Sequence, residues 1–107
     1  VEFSLLQFSN HAYLTTSFSV DSEAGGVDLL TSFLNEGNYT TFRFTHNHPS
    51  GSLHPSGFPG YINKRNPGGD KEMVEYFNKF FPNDNISYFI WANFKLIQFN
   101  EKGIIKK

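Results

Sequence analysis

Hydrophobic and polar residues alternate from the start of the chain. "EFSLLQF" (2–8) and "AYLTTSFSV" (12–20) show the period of two expected of strands, joined by the polar turn Ser9-Asn10-His11. The period then lengthens. In "VDLLTSFLNEG" Val27, Leu30 and Leu34 fall on one helical stripe with Phe33 beside it, and Gly37 stands where a C-cap is expected. Alternation returns in "YTTFRFTH". Phe42, Phe44, His46 and His48 share one face of an extended chain, while Thr41, Arg43 and Thr45 take the other. From Pro49 to Gly69 no period survives, only a proline- and glycine-rich loop of about 20 residues, a length that in compact domains signals function or disorder. "DKEMVEYFNKFF" predicts a second helix with Met73, Val74, Phe77 and Phe81 inward and Pro82 just beyond its end. "ISYFIW" and "FKLIQF" predict strands around Ala92-Asn93, and Glu101-Lys102-Gly103 turns the chain into a short "II" ending. The order ββ-α-β-loop-α-ββ predicts a mixed α+β fold in one domain, a largely antiparallel sheet flanked by helices.

Composition narrows the partners more than the fold. With 13 Phe, 5 Tyr and 1 Trp against a single Met, the core is expected to be aromatic, Trp91 included. Nine basic and ten acidic residues nearly cancel, which argues against nucleic acid and anionic membranes as partners. Without cysteine, any metal must be held by His, Asp, Glu or water. No apolar run approaches the ~20 residues of a membrane span, and no signal peptide is visible. The start at Val1 is read as a cut from a longer chain.

The stretch "THNHPSG" (45–51) raises a chemical question. Side chains at i and i+2 of a strand stand roughly 6–7 Å apart at the backbone. Two imidazoles can close that gap onto one ion at about 2.0–2.1 Å per bond. A bare His-x-His is a weak signal, since solvated or hydrogen-bonded histidines at a strand end give the same pattern.

"HNHPSG", followed by "SLHPS" and by Asp70 at the opening of a helix, resembles the JAB/MPN metalloprotease family, also called JAMM. The pattern is an upstream Glu, His-x-His-Pro, a Pro-Ser and an Asp at a helix start. The likeness extends over nearly the whole chain. "EFSLLQF" looks like the family's first strand with its essential Glu, and "ISYFIWANFKLIQFNEKGII" like its closing hairpin. The resemblance implies a cytidine-deaminase-like sandwich, with His46, His48 and Asp70 as zinc ligands and water at the fourth position. It implies Glu2 as the general base and acid, and Ser56 as the group that steadies the oxyanion.

Rival readings stand beside each role. Asp70 after Gly68-Gly69 is also a good N-cap. His54 is the nearest alternative ligand, Glu23 competes with Glu2, and His11 reads as solvated. The family keeps its Asp close behind the Pro-Ser, whereas here "GFPGYINKRNPGG" (57–69) intervenes as an insertion. Loop closure tolerates such length, but the insertion puts the placement of Ser56 in question. It reads either as a lid carrying Phe58, Tyr61, Lys64 and Arg65 or as a mobile surface loop.

The expected function is zinc-dependent hydrolysis of peptide or isopeptide bonds in a protein or peptide substrate, with ubiquitin and ubiquitin-like proteins as candidates. Within the family the chain most resembles JAB-like domains of secreted bacterial toxins, which would imply action in a target-cell cytoplasm and an immunity protein as partner. The alternatives are a RadC-type domain with a nucleic-acid-related role and a non-catalytic MPN-like interaction scaffold. The letters "HNH" do not make an HNH nuclease, whose residues are spread over a ββα unit.

Overall fold

A computed structural model describes residues 2–17, 25–64 and 67–105. The strands are β1 Glu2–Phe8, β2 His11–Ser17, β3 Thr41–Asn47, β4 Asn85–Ala92, β5 Lys95–Asn100 and β6 Gly103–Ile104. The helices are α1 Gly25–Glu36 and α2 Gly69–Phe80. One sheet holds all six strands in the order β2-β1-β3-β4-β5-β6, a mixed α+β arrangement that is antiparallel except between β3 and β4. A parallel pair needs a long crossover, and here the proline-rich loop and α2 together provide it. The end of the expected second strand, 18–20, lies outside the described residues, as do Glu23 and Arg65.

Register explains where the core forms. Leu6 stands opposite Phe44, Phe44 beside Tyr88, and Tyr88 opposite Phe99. Directly paired residues share a face. These residues, with Phe8, Phe42 and Ile90, therefore form one continuous apolar surface, all of it buried. Leu30 and Leu34 of α1 and Val74 and Phe77 of α2 are buried in the same cluster. Val27, Phe33, Met73 and Phe81 pack against it, as the helical stripes predicted. At roughly 1.5–3 kcal/mol for each fully buried side chain of this size, this layer supplies most of the hydrophobic stabilisation. Both described helices lie on that one face.

The opposite face carries Phe3, Leu5, Phe89, Trp91 and Leu96, with the Arg43 guanidinium 4.5 Å from the centre of the Phe89 ring. Trp91, expected in the core, is 42% exposed. Strand β4 sends Tyr88, Ile90 and Ala92 inward, and the alternation turns Trp91 away. Phe94 also departs from expectation. It belongs to the β4–β5 turn rather than to β5, is 92% exposed, and with Asn93 adopts positive φ (59° and 49°). Two such residues in a row make the tight hairpin whose twist matches the strands.

Candidate metal centre

The face that carries the core changes character along its length. Strand β1 presents Phe8, Leu6, Ser4 and then Glu2; the neighbouring strand β3 presents Phe42, Phe44 and His46. Ser4 is paired with His46, and both are buried. Beyond β3 the His48 N–H donates to the Trp91 carbonyl at 3.2 Å. The extended pairing therefore runs on past the strand and keeps His48 on the same side as His46. Asn47 points the other way, where its Oδ1 accepts the Phe3 N–H at 2.7 Å. That bond and the pairing of Glu2 with Ser17 hold the start of β1 in the sheet.

The third member arrives from α2. Gly68 is its N-cap, with no side-chain capping bond, so Asp70 does not cap the helix as the sequence allowed. Ser56 performs that task from a distance. Its Oγ accepts the Asp70 N–H at 3.0 Å, and its own N–H donates to Asp70 Oδ2 at 2.9 Å. The Ser56 carbonyl accepts the Lys71 N–H at 3.0 Å. Two glycines permit this approach. A Cβ on Gly57 would lie 2.2 Å from the Gly68 carbonyl oxygen, and one on Gly69 would lie 2.4 Å from Ser56 Oγ. Both glycines also have positive φ, which side chains disfavour. The insertion thus leaves and returns at nearly one point, and Ser56 sits against Asp70 despite the length between them.

His46 Nε2 lies 3.0 Å from Asp70 Oδ1, His48 Nε2 lies 3.2 Å from Asp70 Oδ2, and the two Nε2 atoms are 3.1 Å apart. Tetrahedral coordination with bonds of 2.0–2.1 Å separates neighbouring donor atoms by about 3.3 Å. The three separations, which involve both carboxylate oxygens of Asp70, are close to that spacing. The tautomers agree. His48 Nδ1 is 3.0 Å from the Ser52 carbonyl, which can only accept, so Nδ1 carries a proton and in the neutral ring Nε2 is the atom left to bind a metal. Fixing the distal nitrogen in this way is how metal-binding histidines are oriented. Lone pairs converging at such distances repel unless a cation lies among them. This group can hold a metal ion.

Electrostatics point the same way. Burial by itself would lower the pKa of His46, but the Asp70 charge, its hydrogen bond and the charge of Glu2 outweigh burial and raise it. Burial would raise that of Asp70, but His46, the bond to His48 and the Ser56 N–H hold the carboxyl well below the usual carboxylate range. Both shifts favour a proton on His46 facing an ionised Asp70 when no metal is bound.

The group opens into a cleft of about 450 Å³ that Glu2, Ser56 and His54 also line. The structure therefore gathers Glu2, His46, His48, Ser56 and Asp70 around one space. His54 is not part of the ligand group. Its Nδ1–H donates to the Pro55 carbonyl at 3.0 Å, and its ring stacks on Tyr61. His11 is exposed, at 3.3 Å from the Tyr39 hydroxyl. Sequence reasoning missed Ser4, Asn47 and the Ser52 carbonyl. Ser4 carried a signal, since it stands two positions from Glu2 on one strand face; a backbone carbonyl carries none. No family model, curated protein or solved structure matches the chain, so the site is argued from its own geometry.

Proposed function

We propose that this domain is a zinc-dependent hydrolase of peptide or isopeptide bonds, of the JAB/MPN (JAMM) type, and that its sheet is the sandwich of that family. The observation that supports this most is the convergence of His46, His48 and Asp70, with the His48 tautomer set by Ser52, at the mouth of a cleft shared with Glu2 and Ser56. Two imidazoles and one carboxylate suit zinc and leave a position open. Zinc bound there would acidify a water and polarise the scissile carbonyl. The Glu2 carboxylate receives the proton of the attacking water and passes it to the leaving nitrogen. Ser56 Oγ uses one lone pair on the Asp70 N–H, which leaves its hydrogen to donate to the carbonyl oxygen as charge develops there.

The lining of the cleft favours amides over phosphodiesters. Among the described residues it contains Glu2 and Asp70 but no lysine or arginine, so a polyanion would meet two carboxylates and no fixed cationic side chain. Peptide and isopeptide bonds both fit this chemistry, and the flanking side chains would decide between them. The test is zinc content together with cleavage of peptide and isopeptide substrates by protein purified without added metal. Glu2→Gln should keep one zinc per chain and reduce turnover by about 10²–10⁴-fold. Protein that takes up no zinc on reconstitution overturns the proposal, and full activity of Glu2→Gln moves the base to another residue, Glu23 first.

A further inference from the structure

The first part of the insertion is built as a wall. Gly57 N–H donates to the Tyr61 carbonyl at 3.0 Å and Tyr61 N–H to the Phe58 carbonyl at 2.9 Å, closing a tight turn. Phe58 and Pro55 are buried beneath it. The His54 ring lies on the Tyr61 ring, centroids 3.6 Å apart and planes 6° from parallel. The insertion is fastened at both ends, where Ser56 meets Asp70 and Lys71. Even so, it leaves two large apolar side chains in the open, Tyr61 at 48% and Ile62 at 55% exposure, and both line the same cleft as His48 and Asp70. Val27 of α1 and Met73 of α2 also line that cleft.

We propose that Tyr61 and Ile62, backed by His54, form a preformed apolar subsite that selects an extended peptide carrying a bulky hydrophobic side chain beside the scissile amide. This rests on the hydrolase reading and adds a specificity to it. The occupant follows from the chemistry of the walls. Apolar lining from Tyr61, Ile62, Val27 and Met73 favours burial of a side chain such as Leu or Phe. The carboxylates at the metal end, with no lysine or arginine in the lining among the described residues, disfavour an acidic one. A stacked, hydrogen-bonded turn gives up little entropy when it binds, so the preference is available without rearrangement.

The experiment uses zinc-loaded Glu2→Gln protein and two series of capped hexapeptides, otherwise glycine, with Ala, Leu, Phe, Glu or Lys on one or the other side of the central amide. Binding is followed through the amide resonances of residues 61–63. Leu and Phe should bind about tenfold tighter than Ala in one series, with Glu weakest. Tyr61→Ala combined with Ile62→Ala should bring that advantage within twofold while zinc stoichiometry is unchanged. Equal binding of all peptides, no binding of any, or a preference that survives the double substitution overturns the inference. Preferential binding without cleavage by the wild-type protein leaves the subsite standing and removes the hydrolase reading; cleavage without the preference does the reverse.

Discussion

One face of the sheet solves two different problems at its two ends. Near Phe8 and Phe42 the Phe33 and Tyr39 rings close in at centroid distances of 4.6 and 4.7 Å from Phe8, and burial is favourable in itself. Near His46 and Asp70 burial is unfavourable for every charged form, and only mutual contact makes it tolerable. The apolar end accepts any close-packed set of side chains. The polar end requires specific atoms at specific distances, which is why Ser52, Ser56 and two glycines are engaged in fixing three ligands.

The comparison breaks most visibly by truncating each end in turn. Phe42→Ala removes a fully buried ring and should lower the unfolding free energy by about 3–5 kcal/mol in a denaturant titration, enough to unfold many domains of this size. His46→Ala should instead abolish zinc binding and turnover, with the circular dichroism of the folded domain retained; an intact zinc stoichiometry would remove His46 from the ligand set.

Proton competition is a second, graded way to separate the ends. The lowered pKa of Asp70 makes its contribution complete above about pH 3.9 and lost as pH falls through the folded value. The raised pKa of His46 makes its contribution complete below about pH 6.5 and lost as pH rises through the folded value. Chelated protein should therefore melt at progressively lower temperature as pH climbs above about 6.5. Zinc affinity should rise over the same range, by up to about tenfold per pH unit for each proton displaced. A melting temperature of the chelated protein that does not move with pH would mean that His46 and Asp70 do not share a proton.

Smaller effects sharpen the contrast. Ser56→Ala loses the remote cap on α2 and should cost about 1 kcal/mol of stability. Zinc binding should change little, because the Ser56 N–H that holds the Asp70 carboxylate is backbone and survives, while turnover should fall with the loss of the hydroxyl. Tyr88→Phe should go the other way. The Tyr88 hydroxyl is buried with no hydrogen-bond partner among the described residues, and burial, then the Glu101 charge, pushes its pKa upward. Removing a hydroxyl of that kind should raise the melting temperature slightly, by the equivalent of about 1 kcal/mol.

Much of this was legible beforehand. Alternation placed β1, β3 and β4, the 3.6-residue stripes placed α1 and α2, and the i, i+2 spacing put both histidines on one face. The run "ISYFIW" could not say which alternate residues met the helices, since it is apolar on both faces, and so Trp91 was misplaced. The parallel pairing of β3 with β4 follows from a crossover that leaves no mark in either strand. The juxtaposition of Ser56 and Asp70 depends on how closely Gly57 approaches Gly68 and Gly69 on Ser56, a tertiary contact that neither end of the insertion announces.

The pinched neck of that insertion separates two tasks that most enzymes must tune together. On the proposed reading, the stretch between the neck's two sides would set which molecules fit, while the atoms that would do the cutting are anchored below it. The exposed tip at Tyr61 and Ile62 can then vary while the hardware underneath stays in alignment, so long as the paired glycines and the buried Phe58 remain.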